Sequence, residues 1–216
     1  MKNFTHYIFD FDGTLADSQV YWQLVCGEIL QSRGYAFTQE DVDFCMTHPP
    51  EERAVYFCEK HGLTPEEYPQ RPEILEWIDR FLRTRLEWKE GAEEFLQRAR
   101  AMGKKTVLFS ATPIELLNHA LERLDARRYF DEIVSTSQVG VGKGNPESYR
   151  YCLDLLGITP DRAVMFEDAP YSMETAKKVG LYVVAVREPA MEYRKEEIMR
   201  FCDEFVDVIT DWSEKE

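Results

Sequence analysis

Several features that mark particular protein classes are scarce in this chain of 216 residues. No apolar run approaches the roughly 20 residues that a membrane-spanning helix requires. Acidic residues number 40 against 26 basic ones, and the net charge of −14 argues against nucleic acid or an anionic membrane as a partner. The amino terminus shows no signal-peptide pattern, so we expect a cytoplasmic protein.

Cysteine and histidine are also few, and their spacing bears on redox state and metal binding. None of the five cysteines forms a C-x-x-C pair, which favours reduced thiols over a disulfide framework. None of the four histidines lies at ligand spacing from a cysteine or a second histidine, so we expect no zinc site. The cysteines are Cys26, Cys45, Cys58, Cys152 and Cys202.

Hydrophobic periodicity divides the chain into two regions. Residues 17–88 show helical patterns only, and the predicted helices cover 19–33, 39–46, 51–61 and 71–88. From Gly91 onward, helices alternate with short apolar runs. The predicted strands there are 106–109, 132–135, 163–166, 182–186 and an edge strand at 205–209; the predicted helices are 92–102, 113–124, 146–156, 172–179 and 198–204.

This order of elements predicts an α/β fold. Together with a first strand at Tyr7–Phe9, the alternation of strand and helix indicates a Rossmann-like parallel sheet with helices on both faces. We expect one α/β core domain, residues 1–16 and 90–216, opened after its first strand by an all-helical cap, residues 17–89.

Polar residues that can take part in catalysis or metal binding follow several of the predicted strands. Asp10 and Asp12 follow the first strand, Ser110 follows the second, and Glu167 with Asp168 follows a later one. Because parallel strands end at one edge of a sheet, these side chains should converge there, with a lysine from the Gly140–Pro146 loop.

A cluster of carboxylates with one lysine fits a particular chemistry. Carboxylates suit Mg²⁺, and Mg²⁺ together with Lys143 can hold a phosphoryl group, while Ser110 and a neighbouring backbone N–H take another phosphate oxygen. One aspartate remains free to act as nucleophile and another can transfer a proton.

Four motifs in this order resemble the haloacid dehalogenase superfamily of phosphohydrolases, in the subclass with a small helical cap after strand 1. They are Asp10-Phe-Asp-Gly-Thr14, Ser110, Gly142-Lys-Gly-Asn-Pro-Glu-Ser-Tyr149 and Phe166-Glu-Asp-Ala169. Within that subclass, the chain is similar to the β-phosphoglucomutases and the phosphoglycolate phosphatases.

The resemblance implies a role for each matching residue. Asp10 would be the nucleophile and a Mg²⁺ ligand, and Asp12 would be the general acid and base with its backbone carbonyl on the metal. Asp168 would be a metal ligand, with Glu167 a ligand or beside one. The transferring phosphoryl group would be bound by three residues: Ser110, Ala111 through its N–H, and Lys143.

Two departures from the family pattern concern hydrogen bonds near the site. Gly144 and Glu147 replace the Pro and Asp that many relatives carry after the lysine, which we expect to loosen that loop. Ala169 and Ser172 stand where relatives have a Ser and a Gly, so we expect a secondary hydrogen bond to be missing.

Other departures concern the type of reaction. The β-phosphoglucomutases carry a His where this chain has Trp22, and an Arg in the cap loop where this chain has Pro50, with Arg53 nearby. A phosphatase is therefore preferred over a sugar phosphomutase. Dehalogenases lack the second aspartate, and phosphonoacetaldehyde hydrolysis needs a cap lysine for which Lys60 is the clear candidate.

The sequence thus predicts a Mg²⁺-dependent phosphatase that hydrolyses a small organic phosphate monoester through an aspartyl-phosphate. In the cap, we expect substrate contacts from Trp22, His48 and Arg53, with Tyr21 as a further candidate. We expect a monomer or weak dimer. A β-phosphoglucomutase-type enzyme, or a non-catalytic module that binds a phosphate ligand, remains an alternative.

Overall fold

The computed structural model describes residues 4–214, and a single sheet of six parallel strands forms its centre. The strands are β1 (His6–Phe9), β2 (Lys105–Ser110), β3 (Glu132–Ser135), β4 (Ala163–Glu167), β5 (Tyr182–Val186) and β6 (Glu204–Val206). Their order across the sheet is β3-β2-β1-β4-β5-β6. Because β1 lies between β2 and β4, the residues that follow it reach the middle of the sheet edge.

Helices cover both faces of the sheet. Successive residues of β1 join different apolar clusters. Tyr7 and Phe9 pack with the helix at Ala92–Ala101, whereas Ile8 packs with the helices at Pro146–Leu156 and Pro170–Lys178. The helices are α1 (Gln19–Ser32), α2 (Gln39–Thr47), α3 (Pro50–His61), α4 (Arg71–Thr84), α5 (Ala92–Ala101), α6 (Ile114–Arg123), α7 (Thr136–Val139), α8 (Pro146–Leu156), α9 (Pro170–Lys178) and α10 (Lys195–Phe201). Such two-sided burial is typical of all-parallel sheets. The predicted fold class is confirmed.

Helices α1–α4, which we call the cap, occupy the chain between β1 and α5. The cap packs on the core through α4 and α6, where His119 Nδ1 lies 2.5 Å from Asp79 Oδ1. Within residues 4–214, no helix combines the length and apolar character needed to cross a membrane. The signal-peptide prediction involves residues 1–3, which lie outside the described range.

The two segments that join cap and core run side by side. The N–H of Asp17 donates to the carbonyl of Glu87 at 3.0 Å, and the N–H of Lys89 donates to the carbonyl of Leu15 at 2.9 Å. Ala16 and Trp88 thereby form an antiparallel bridge. The predicted boundaries after residue 16 and before residue 90 stay a prediction, to which these contacts lend support.

Some element bounds differ from the sequence prediction. Helix α4 ends at Thr84 rather than at residue 88, because the chain must leave the helix to pair with the first linker. Helix α9 begins at Pro170, two residues before the predicted start, and proline is well suited to that first position. The short helix α7 was not predicted, although Ser135 and Gln138 form a capping box there.

Candidate active site

Packed aromatic rings fix the ends of the two central strands. Phe9 and Phe166 lie opposite one another in the register of β1 and β4, and their rings stack with centroids 4.9 Å apart. The N–H of Asp10 then donates to the carbonyl of Phe166 at 2.9 Å. Asp10 and Glu167, the next residue of each strand, are therefore held next to each other by the core.

Lys143 joins these two carboxylates. Its Nζ forms an ion pair with Asp10 Oδ1 and donates to Glu167 Oε2 at 2.9 Å, and the lysine is only 2% exposed. Burial alone would lower the pKa of Lys143, but the charges of Asp10 and Glu167 outweigh it and raise that pKa well above its usual value. The ammonium group is therefore charged at neutral pH.

Every acceptor position of Glu167 faces a donor. Its Oε1 accepts from the N–H groups of Asp168 and Ala169 at 3.2 and 3.1 Å, and its Oε2 accepts from Lys143 and from the Ser172 hydroxyl at 2.5 Å. The expectation of a missing hydrogen bond near Ala169 and Ser172 is therefore wrong. Because α9 begins at Pro170, Ser172 lies in its first turn, close enough to reach Glu167.

Asp168 lies beside this pair with an unsatisfied oxygen. One oxygen each from Asp10, Glu167 and Asp168 can be chosen so that the three lie within 4.8 Å of one another, and all three residues are buried. Asp168 Oδ2 has no hydrogen-bond partner in the described chain. A Cβ at Gly13, whose φ is +87°, would stand only 2.5 Å from that atom.

Burial and neighbouring negative charge both act on the pKa values of these carboxyl groups. Burial, followed by the charge of Glu167, raises the pKa of Asp10 to about 8 and raises that of Asp168 well above its usual value. A buried, hydrogen-bond-free carboxylate oxygen among other carboxylates is a fitting donor for a hard divalent cation such as Mg²⁺. The donor set therefore fits the predicted metal.

Three donors hold the carboxylate of Asp12 from two sides. Its Oδ1 accepts from the Ser18 hydroxyl at 2.7 Å and from Trp22 Nε1 at 2.9 Å. Its Oδ2 accepts from the Thr112 hydroxyl at 2.5 Å. Ser18 occupies the N-cap position of α1, but its hydroxyl binds Asp12 instead of capping the helix.

These groups border a cavity of about 330 Å³ between cap and core. Its wall contains seven of the predicted residues: Asp10, Asp12, Trp22, Arg53, Ala111, Glu167 and Asp168. Ser110 and Lys143 lie beneath the wall, where Ser110 Oγ accepts from the N–H of Thr112 at 3.0 Å. The two predicted phosphate-binding side chains therefore do not line the cavity, but each contacts a residue that does, Lys143 through Asp10 and Ser110 through Thr112.

Three cap residues that the sequence singled out do not line this cavity. Tyr21 stacks on Phe81 with ring centroids 4.1 Å apart, and His48 stacks on Phe44 at 3.7 Å. Lys60, the Schiff-base candidate, forms an ion pair with the buried Asp41. A lysine engaged in this way supplies no free amine for phosphonoacetaldehyde chemistry.

Sequence reasoning missed several residues that the site uses. Thr112 could have been found as the second residue after Ser110, since loops at strand ends carry functional groups. Nothing in the sequence singled out Gln23, Arg71 or Tyr171, which line the cavity from the cap and from α9. Their positions depend on how the cap is placed on the core.

Comparison with known proteins places the chain among relatives of similar architecture. A phosphorylated carbohydrates phosphatase of Thermotoga maritima is 29% identical over 174 residues, which cover 81% of each chain. Hexitol phosphatase B of Escherichia coli is 24% identical over 195 residues, covering 84% of this chain and 83% of the relative. A Thermotoga maritima structure provisionally named a beta-phosphoglucomutase is 26% identical, with a TM-score of 0.74 over 93% of both chains.

The model of one protein family matches most of the chain. It is described as haloacid dehalogenase-like hydrolase, and the match covers residues 7–186. The predicted family is confirmed, and the prediction of an enzyme is confirmed with it. The chain belongs to the haloacid dehalogenase-like hydrolases.

Proposed function

We propose that this hydrolase is a Mg²⁺-dependent phosphatase that acts on a small organic phosphate monoester through an aspartyl-phosphate. The observation that supports the proposal most directly is the environment of the Asp10 carboxylate. One of its oxygens is paired with Lys143, whereas the other receives no hydrogen bond from residues 4–214, and the residue borders the cavity. An oriented carboxylate oxygen that is free to attack is what nucleophilic catalysis requires.

In the first step, the free oxygen of Asp10 attacks phosphorus and the bond between phosphorus and the leaving oxygen breaks. Asp12 gives its proton to that leaving oxygen, so that an alcohol departs. Lys143, the Ser110 hydroxyl and the N–H of Ala111 bind the other phosphoryl oxygens. A Mg²⁺ ion bound by Asp10, Asp168 and the Asp12 carbonyl would supply charge neutralisation for the phosphoryl group.

In the second step, Asp12 takes a proton from a water molecule and the water oxygen attacks phosphorus. The bond between phosphorus and Asp10 breaks, so that inorganic phosphate and the free carboxylate are regenerated. Asp12 is well placed for both transfers, because Ser18, Trp22 and Thr112 fix its carboxylate. The cap above it limits access of bulk water.

Glu167 has a supporting part in this proposal. Its four hydrogen bonds leave no oxygen in need of a metal, whereas Asp168 has one. We assign Glu167 to holding Lys143 against Asp10 and Asp168 to binding the metal. A partner that orients a charged group in this way contributes through preorganisation.

The names of the relatives support a phosphorylated small molecule as substrate. Two of them are phosphatases of carbohydrate or hexitol phosphates, as their names state. The test is release of inorganic phosphate from a panel of sugar, hexitol and aryl phosphates with Mg²⁺, with excess EDTA, and with Asp10→Asn. We expect activity that EDTA abolishes and that Asp10→Asn reduces at least 10³-fold, on the order seen when a catalytic nucleophile is removed.

Full activity of Asp10→Asn would overturn the mechanism. Stoichiometric binding of phosphate esters without release of phosphate would instead establish the non-catalytic module as the function.

One observation favours the phosphomutase alternative. Arg53 borders the cavity and forms no ion pair with any carboxylate among residues 4–214, so a second phosphate of a sugar bisphosphate could bind there. Trp22 stands where the mutases carry a His, and this difference favours a phosphatase. Incubation of glucose 1-phosphate with a bisphosphate primer decides between them, because a mutase yields the isomeric sugar phosphate and a phosphatase yields free sugar and phosphate.

A further inference from the structure

Lys89, in the second linker between cap and core, binds groups from two different parts of the core. Its ammonium group donates to the carbonyl of Gly13, to the carbonyl of Arg187 at 2.6 Å and to the carboxylate of Glu188 at 2.5 Å. Gly13 belongs to the loop after β1, whereas Arg187 and Glu188 follow β5. One linker side chain therefore joins the loops that follow two strands of the sheet.

The ion pair between Lys89 and Glu188 is shielded from water. The Glu188 side chain is 1% exposed and the Lys89 side chain is 16% exposed. Glu188 also accepts a hydrogen bond from the N–H of Ala190 at 3.1 Å, at the start of a short 3₁₀ helix, Pro189–Arg194, that lies against α1 and α2 of the cap. Because an ion pair is stronger in such surroundings than in water, it holds the ammonium group in a fixed place.

The two linkers hold Gly13 from both sides. Its N–H donates to the carbonyl of Ala16 in the first linker at 2.9 Å, and its carbonyl accepts from Lys89 in the second. Within residues 4–214, no other donor reaches that carbonyl. Gly13 directly follows Asp12, whose carbonyl we assign to the metal, and a Cβ on Gly13 would stand 2.5 Å from Asp168 Oδ2. The placement of Gly13 therefore affects two of the proposed metal ligands.

The charge of Lys89 by itself would oppose metal binding. Burial and the charges of Glu167 and Asp10 raise the pKa of Asp168, and the charge of Lys89 acts on that pKa in the opposite direction. An ammonium group that influences Asp168 in this way also repels a cation bound there. Any favourable effect of Lys89 on the metal site must therefore come from the groups that it holds in place.

We propose that Lys89 is a positioning residue for the Mg²⁺ site. It acts through Gly13, because fixing the Gly13 carbonyl orients the peptide groups that place the Asp12 carbonyl and leave room for the Asp168 carboxylate. This inference rests on the proposed phosphatase function, which requires the Mg²⁺ site, and it adds a residue of the cap linker to that site. Groups that orient metal ligands without touching the metal contribute about 10–100-fold to metal affinity or activity.

The test measures Mg²⁺ affinity of the free protein by titration calorimetry, and stability by thermal unfolding. Lys89→Met leaves the buried Glu188 without its counter-charge, so this variant should lose stability. The double variant Lys89→Met with Glu188→Gln removes both charges of the ion pair, keeps the net charge and leaves no unpaired buried carboxylate.

We expect the double variant to fold and to bind Mg²⁺ at least tenfold more weakly than the wild type. Phosphate release should then need correspondingly more Mg²⁺ for its half-maximal rate. Removal of the Lys89 charge alone would tighten Mg²⁺ binding, so weaker binding in both Lys89 variants cannot be an effect of charge.

Lys104→Met with Glu214→Gln is the matched control. Lys104 Nζ also donates to a carbonyl, that of Phe4 at 2.7 Å, and to a carboxylate, that of Glu214 at 2.6 Å, and its side chain is 14% exposed. It directly precedes β2, at the edge of the sheet opposite to Asp10. This control should keep the Mg²⁺ affinity of the wild type, whatever its loss of stability.

An unchanged or higher Mg²⁺ affinity in the Lys89 double variant would overturn this inference and leave the phosphatase function standing. An equal loss of affinity in the Lys104 control would overturn it as well, because the loss would then follow from stability alone. A wild type that binds no Mg²⁺ and releases no phosphate in its presence would instead overturn the proposed function. The two failures are therefore distinguishable.

Discussion

Trp22 Nε1, on the first helix of the cap, donates a hydrogen bond of 2.9 Å to Oδ1 of Asp12, in the loop after the first strand of the core. An indole nitrogen can only donate, so this contact presents Asp12 Oδ1 with a fixed N–H. The orientation of the proposed acid and base therefore depends on the position of the cap. This relationship makes a prediction about leaving groups.

Trp22→Phe keeps the aromatic ring and removes the N–H. We expect kcat/KM for an alkyl phosphate to fall about tenfold, since a hydrogen bond to a charged group is lost and an alkoxide needs a proton in order to leave. The kcat/KM for a nitrophenyl phosphate should fall much less, because its leaving group departs without a proton. Steady-state kinetics on the two esters measures the difference.

Trp77→Phe is the control for this experiment, because Trp77 is a cap tryptophan that does not line the cavity. An equal loss on both esters in Trp22→Phe would show that the tryptophan matters only for folding or packing.

Gly13→Ala should weaken Mg²⁺ binding. A Cβ there would stand 2.5 Å from Asp168 Oδ2, the oxygen that we assign to the metal, so the carboxylate must move. The left-handed φ of +87° adds strain of about 1–2 kcal/mol. Titration calorimetry with Mg²⁺ should show at least a tenfold loss of affinity.

Gly34→Ala separates the effect of backbone strain from the effect of the contact with Asp168. Gly34 has a similar φ of +91°, but nothing lies within 4 Å of the position that a Cβ would take there. It should lose stability and keep its Mg²⁺ affinity, and an equal loss of affinity in both variants would contradict the assignment of Asp168.

Ser172→Ala should destabilise the fold and lower activity. The variant removes a 2.5 Å hydrogen bond to the buried Glu167 and leaves the Tyr149 hydroxyl without its Ser172 Oγ partner. The Tyr149 hydroxyl keeps its bond to the Ser172 carbonyl and Glu167 keeps its bond from Lys143, so we expect a loss of about 1–2 kcal/mol in urea denaturation, the usual contribution of a hydrogen bond to a charged group. Ser32→Ala, which removes a hydroxyl bonded to the Ile29 carbonyl at a helix end, serves as the control. An equal loss of stability in the two variants would mean that the hydrogen bond to Glu167 stabilises the fold no more than an ordinary hydroxyl at a helix end does.

Asp41 should make the stability of the cap depend on pH. Burial would raise the pKa of Asp41, but hydrogen bonds from Lys60, Tyr56 and Thr38 outweigh it and bring the pKa from 3.8 to about 2. A carboxyl group whose folded pKa is lowered stabilises the folded state above its unfolded pKa, and this contribution is lost as the pH falls from about 4 to about 2.

The comparison is between the wild type and Asp41→Asn in urea at several pH values. The wild type should be the more stable of the two at pH 7, and the difference should shrink between about pH 4 and pH 2. Asp43→Asn is the control on the same helix. The Asp43 carboxylate accepts a hydrogen bond only from Gln39 among residues 4–214, and the variant should show no such trend. A constant difference between wild type and Asp41→Asn across this range would refute the prediction.

The sheet and its catalytic edge could be predicted because their signals are local. Apolar runs that stop at turn residues placed Asp10, Ser110 and Glu167 at strand ends, and parallel pairing then brought those ends together. The hydrogen bond of Ser172 was misjudged because it depends on the residue at which α9 begins, and helix starts are poorly determined by sequence.

The cap side of the site was harder to predict. Whether Trp22 contacts Asp12 or a substrate depends on which face of α1 turns to the core, and this follows from how four helices pack. His48 and Arg53 lie five residues apart, yet only Arg53 reaches the cavity. Helical periodicity identifies a buried face but does not tell which neighbour covers it.

The paired linkers at residues 15–17 and 87–89 have a consequence for protein engineering. Two backbones joined by ladder hydrogen bonds leave the sheet about 5 Å apart. Any segment whose own ends meet at that spacing can be exchanged for the cap without altering the register of β1. Lys89, whose ammonium group binds the carbonyls of Gly13 and Arg187 and the carboxylate of Glu188, would remain with the recipient if the exchanged segment ended before it. A transplanted cap would then bring a new leaving-group specificity to an unchanged phosphoryl-transfer centre.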